Sequence, residues 1–250
     1  MLVSLLLFLL ALGALLVLER FVHRRLQEFW LLLTGHGEAA TLLYSLVLLP
    51  GVALHELSHA VMAILLGVKV RKFSLRPERQ KGGIIRLGYV EVLRSDSFRT
   101  SLIGAAPLFA GAAVLIIIGL QVFDLSAMQT ALTTGNTNGL IDSIKAITVA
   151  TDAWIWIYLV FAIANSMMPS SSDTQAWPPV IGFAAVVGAL GLLVGGTNLI
   201  QAISPFAQYV LRWLTAAFII TAVIDVSVIA VLTLVNQLLM SMTNRRVDFK

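Results

Sequence analysis

Cysteine is absent from the 250 residues, so the chain can form neither a disulfide framework nor a thiolate metal site, and any metal must be held by histidine and carboxylate. Charge is almost as scarce: Asp, Glu, Lys and Arg together make up 12% of the residues, against 58% hydrophobic ones. A water-soluble domain of this size could not hide so much apolar surface, and the mean hydropathy of +0.92 places the chain in a membrane. No basic residue precedes the first apolar run, which argues against a cleaved signal peptide. The period-two alternation of an outer-membrane barrel is missing too. What remains is an all-α polytopic membrane protein. The net charge of +4 is carried by basic loops, with no aromatic-interleaved platform for nucleic acid.

Apolar runs near the roughly 20 residues that cross a bilayer recur along the chain, and about six transmembrane helices are expected. The first covers residues 1–18 and is followed by a polar, interfacial segment to Glu38 that contains Phe29 and Trp30. The second, Thr41 to Gly67, contains Pro50 and Gly51. Residues 68–99 then carry nine of the seventeen basic residues among Val, Ile, Phe and Tyr, and their alternation around residues 77–83 suggests a short β-hairpin. Ser101 to Val122 is the third span and Asp152 to Met168 the fourth, separated by a polar stretch at 123–151. Residues 169–179, with Pro169, Pro178 and Pro179, cannot continue a regular helix, and non-helical backbone at membrane depth must be satisfied by protein or water. Val180 to Leu199 and Val210 to Met240 supply the fifth and sixth spans. The positive-inside rule puts both residues 68–99 and the tail with Arg245, Arg246 and Lys250 on the cytoplasmic side, with Arg20, Arg24 and Arg25 as exceptions.

One stretch combines scarce residue types at a telling spacing: Leu54-His55-Glu56-Leu57-Ser58-His59-Ala60 reads HExxH. On a helix, residues i and i+4 share a face, so His55 and His59 can offer two imidazole nitrogens to one zinc ion while Glu56 can hold a proton. At about 1.5 Å per residue the two histidines lie roughly 12 to 18 Å from the Gly67 end of their span, inside the bilayer. A catalytic zinc site usually has three protein ligands, and the remaining candidates in apolar surroundings are Asp173 and Asp225. Asp173, in the break after the fourth span, matches the histidines in depth. For Asp225, mid-span beside Val226 and Ser227, a structural hydrogen bond is the preferred account, although intramembrane acids are functional candidates by default.

These residues resemble the site-2 protease family of intramembrane zinc metalloproteases, whose members combine HExxH in one membrane helix with a later stretch of the type Asn, Pro, then Asp-Gly. Here Asn165-Ser166-Met167-Met168-Pro169-Ser170-Ser171-Ser172-Asp173 keeps the Asn and places the Asp eight residues on. The resemblance implies His55, His59 and Asp173 as zinc ligands, Glu56 as general base and Asn165 close to the substrate backbone. It also implies that the 68–93 hairpin is a re-entrant β element. The chain departs from the pattern in three places: Pro169 follows Asn165 by four residues instead of three, Thr174 replaces Gly, and Gly104-Ala105-Ala106-Pro107 matches the family's Gly-Pro element loosely. The implied organisation is a first helix and interfacial segment (1–40), a metalloprotease core (41–179) and a C-terminal pair of helices with a tail (180–250).

The expected function is hydrolysis of a peptide bond within or near a transmembrane segment of a membrane-protein substrate, with the lipid bilayer as the other partner and the site towards the cytoplasmic side. Three other readings differ in kind. A helix with two histidines satisfied by neighbours would bury His, Glu and His in lipid at considerable cost. The same zinc site could act on a lipid or a small amide. A metal transporter or a catalytically silent relative would bind without reaction. The serines of residues 170–172, with Thr174 and Gln175, are placed to line a route for water.

Overall fold

A computed structural model describes residues 2–79, 85–149, 151–168, 170–243 and Arg245. Helix dominates it, as the composition requires. Among the described residues, five helical stretches are long and apolar enough to cross a membrane, or six if one sharply bent helix pair counts as a single span.

The first helix, α1 (Leu2–Thr34), does not stop where the apolar run ends. The segment expected to lie at the interface continues it, because nothing between Glu19 and Thr34 breaks a helix and its charges pair along the surface: His23 Nε2 stands 3.6 Å from Glu19 and Arg25 donates to Glu28 at 2.8 Å. The second helix, α2 (Gly37–Leu65), carries the HExxH residues and tolerates Pro50 in its interior.

Residues 70–79 and 85–92 carry the strands of the expected antiparallel β element. Strand β1 (Val70–Ser74) pairs with β4 (Tyr89–Val92), with a bulge between Val70 and Lys72, and β2 (Glu78–Arg79) pairs with β3 (Ile85–Arg86). Residues 80–84, which include part of the expected turn, lie outside the described residues. The next helix, α3 (Ser97–Val122), is capped by Asp96, whose carboxylate accepts from the Arg99 backbone N–H at 2.9 Å. That bond, helped by the nearby Arg99 charge, holds the Asp96 carboxyl below the usual carboxylate range.

Within the polar stretch at 123–151, residues 125–149 fold into α4 (Leu125–Thr134) and α5 (Thr137–Val149), two short helices packed on each other. The fourth span is corrected. Instead of a helix from Asp152 to Met168, α6 (Ala153–Ala164) has 12 residues, about 18 Å, and meets α5 at 108°. It is too short to cross alone a hydrocarbon core of about 30 Å. A single turn, α7 (Ser171–Thr174), follows. The last helix, α8 (Trp177–Thr243), joins the expected fifth and sixth spans through a break at Gly196, whose φ of 51° is left-handed.

Contacts between α1 and the second half of α8 advance in step along both. Phe8 stacks on Phe218 with centroids 5.8 Å apart, Asn236 donates to the Arg25 carbonyl at 3.0 Å and to Glu28 at 3.2 Å, and Arg245 reaches the Leu32 carbonyl at 3.5 Å. The two run parallel, and Arg245 sits at the turn between α1 and α2. The basic segment at 68–99 follows the other end of α2, whose 29 residues span about 43 Å. The two basic groups assigned above to one membrane face are thus held apart by the length of a span. Arg79→Cys and Arg245→Cys should accordingly be labelled by an impermeant thiol reagent from opposite faces, the native chain having no cysteine. Labelling of both from one face would contradict this arrangement.

Candidate metal centre

Three elements converge on the HExxH residues. The helix α6 runs beside α2 in the same direction, with the Tyr158 hydroxyl donating to the Val47 carbonyl at 3.0 Å and the chain just after α6 meeting His55. On the other side α3 brings its first turns against His59. The glycine at 104 matters here: a Cβ on it would run into the backbone carbonyl of Asp173, so its absence lets the turn that carries Asp173 sit directly on α3.

The histidines are oriented before any ligand arrives. His55 Nδ1 lies 2.7 Å from the Ser166 carbonyl oxygen, and His59 Nδ1 lies 2.7 Å from the Ile103 carbonyl oxygen. A carbonyl only accepts, so each Nδ1 carries a proton and donates, and in the neutral ring, the form that binds metal, each Nε2 turns a lone pair inwards. The two Nε2 atoms are 3.1 Å apart, His59 Nε2 is 3.3 Å from Asp173 Oδ1, and His55 Nε2 is 3.7 Å from Asp173 Oδ2. Tetrahedral zinc with bonds of about 2.0–2.1 Å would separate its ligand atoms by about 3.3 Å. Two lone pairs facing one another beside a carboxylate repel unless a metal ion or a proton lies between them. The donor set therefore fits a metal ion, and among the described residues this is the group of His and acidic side chains able to hold one.

Asp173 is held in its turn by a capping box. Its Oδ2 accepts from the Ser170 backbone N–H at 2.7 Å and from the Ser170 hydroxyl at 2.6 Å, which leaves Oδ1 facing His59. From the sequence Ser170 was expected to line a water route and not to cap, although Ser-x-x-Asp at the start of a turn is a readable signal. Loss of such an outer-shell partner typically costs 10–100-fold in metal affinity. Ser170→Ala should therefore weaken metal binding about 10–100-fold in a competitive chelator titration, with the fold intact. Unchanged affinity would show that the cap does not orient the ligand.

A cavity of about 460 Å³ opens onto these side chains. Glu56 lines it and is 7% exposed, with the backbone of Gly88 passing so close that a Cβ there would stand 3.0 Å from Glu56 Cγ. The loop entering β4 thus roofs the residue expected to hold the proton. Of the polar residues expected to line a water route, Ser170 and Ser172 border the cavity. Glu19, His23 and Tyr44 border it as well, with the Tyr44 hydroxyl 2.6 Å from His23 Nδ1. Sequence reasoning passed over this group, whose only trace was a Glu and a His at i, i+4 just past an apolar run.

Asn165 caps the end of α6 and is 2% exposed. Its Nδ2 donates to the Phe161 carbonyl at 2.9 Å and to Asp225 Oδ1 at 2.8 Å. Asp225 is fully buried on α8, engaged with Asn165 and not with the histidines, the structural hydrogen bond preferred above. Asn165 Oδ1 and Asp225 Oδ2 are buried with no hydrogen-bond partner among the described residues. Each such acceptor costs about 1–3 kcal/mol when left unmade. Pro169 lies outside the described residues.

No protein family, no curated protein and no solved structure matches the chain.

Proposed function

We propose that the protein is a zinc-dependent intramembrane endopeptidase of the site-2 protease kind, cutting a peptide bond within or near a transmembrane segment of a membrane-protein substrate. The observation that carries this reading is the convergence of two Nε2 lone pairs and one carboxylate oxygen at 3.1 to 3.7 Å, on side chains whose other atoms are already hydrogen-bonded. Zinc bound there supplies a Lewis acid and an acidified water. Glu56, adjacent to a ligand and walled off under the Gly88 loop, takes a proton at its carboxylate and returns it to the departing amine. Asn165 meets the backbone of the substrate at the cavity wall. The β element beside the cavity gives an extended substrate segment a surface to lie along, as a scissile bond requires, since a helix hides its carbonyls in its own hydrogen bonds.

In the bilayer the parallel packing of α1 and the second half of α8 requires an odd number of crossings, which five spans satisfy. The face beyond Leu65, where nine basic residues cluster in 68–99, is cytoplasmic, and the site opens towards it. The test is incubation of zinc-loaded protein in nanodiscs with a panel of single-span peptides, read by mass spectrometry. Cleavage inside the apolar segment that stops on chelation and returns with zinc supports the proposal. An intact panel together with Glu56-dependent hydrolysis of lipid amides would contradict it.

A further inference from the structure

We infer that Asp225 is a positioning residue: it helps commit the side-chain Nδ2 of Asn165, a residue of the cavity wall, and leaves Oδ1 as the amide's unpaired acceptor. This rests on the peptidase reading for its function, though not for its geometry. Asn165 lines the cavity while both Nδ2 hydrogens point elsewhere, one to the Phe161 carbonyl at 2.9 Å and one to Asp225 at 2.8 Å. The opposite amide orientation would set Oδ1 against a carbonyl and a carboxylate at the same time, three acceptors with no donor, so the chemistry of the partners selects the one observed. Phe161 lies one helical turn back and would hold half of the amide in any helix of this kind. Asp225 comes from a different helix, 60 residues away, and supplies the other half.

The consequence is selective. With Nδ2 committed, Asn165 can accept a hydrogen bond from a substrate backbone N–H but cannot donate to a substrate carbonyl. An extended peptide presents N–H and C=O alternately along its length, so this acceptor favours one register of the chain over its neighbour, and register decides which carbonyl reaches the histidines. Asn165 Oδ1 and Asp225 Oδ2 are the two acceptors of this pair left without a partner among the described residues, and a substrate N–H satisfies the first.

Two variants separate the hydrogen bond from mere packing. Asp225→Asn keeps an acceptor for Asn165 Nδ2, whereas Asp225→Leu fills a similar volume and removes it. Two readouts are needed. In protein labelled with ¹⁵N-asparagine, the Asn165 side-chain amide should exchange slowly with solvent in the wild type and in Asp225→Asn, and at least about tenfold faster in Asp225→Leu, the worth of one hydrogen bond. With a single-span peptide from the panel, Asp225→Leu should raise KM about tenfold with kcat within about twofold and zinc content unchanged, while Asp225→Asn behaves as wild type. Undiminished amide protection in Asp225→Leu overturns the positioning role, whatever the activity. Lost protection with an unchanged KM, or an Asp225→Asn variant as impaired as Asp225→Leu, overturns the substrate role while leaving the peptidase reading standing. If the wild type cuts no peptide, that reading and the substrate role fail together, and amide exchange still decides the geometry.

Discussion

Glu56→Gln should lower turnover on a single-span peptide by about 10² to 10⁴, the usual contribution of a general acid–base group, while the protein keeps its full complement of zinc. Glutamine preserves the length and most of the hydrogen bonding of the side chain, which matters because Glu56 is 7% exposed under the Gly88 loop and a truncation would leave a cavity there. It cannot take a proton. The metal donors, His55, His59 and Asp173, are untouched, so a drop in rate without a drop in metal isolates the proton transfer. Undigested peptide should remain bound to the variant. A variant that turns over at the wild-type rate would remove Glu56 from the chemistry, and one that loses zinc would make it part of the metal's support.

Asp173→Asn should leave the purified protein without metal. Asparagine keeps a carbonyl that can accept from Ser170, so the cap on α7 survives, yet a neutral amide oxygen is a poor substitute for a carboxylate beside two imidazoles. The expected loss exceeds the roughly 10–100-fold typical of an outer-shell change, because a ligand itself is removed. Alanine would test less cleanly, since it also removes the Asp173 half of the capping box. Stoichiometric zinc in the Asn variant, with normal insertion into the membrane, would dismiss Asp173 as a ligand.

Much of this was legible from the residues, and the reasons for what was not are specific. His55 and His59 could be paired because helical spacing alone puts them on one face, and Asp173 because a helix-breaking stretch returns to the same depth. The β element was visible in its alternation. The carbonyls that orient the histidines belong to Ser166 and Ile103, 111 and 44 residues away, and any residue type there would serve, so no sequence signal marks them. The Asn165–Asp225 bond is equally non-local. The bond from Ser170 to Asp173 was legible as a Ser-x-x-Asp pattern and passed over. Helix α1 outran its apolar run because a polar sequence without a breaker stays helical when its charges pair along the surface. Charge counting put the tail beside residues 68–99 since it registers sign and number, not which helix ends meet; the parallel packing of α1 and α8 sends the tail to the other end of α2.

The central claim is that two histidines and an aspartate, brought together from one helix and a distant turn, hold one zinc ion. X-ray absorption at the zinc edge of the purified wild-type protein, with metal content measured on the same sample, tests it most directly. The account predicts one zinc per chain with two imidazole nitrogens and oxygen donors at about 2.0–2.2 Å, and no sulfur. A protein that takes up no zinc when it is offered, or zinc whose spectrum is unchanged in a His55→Ala, His59→Ala double variant, would contradict it.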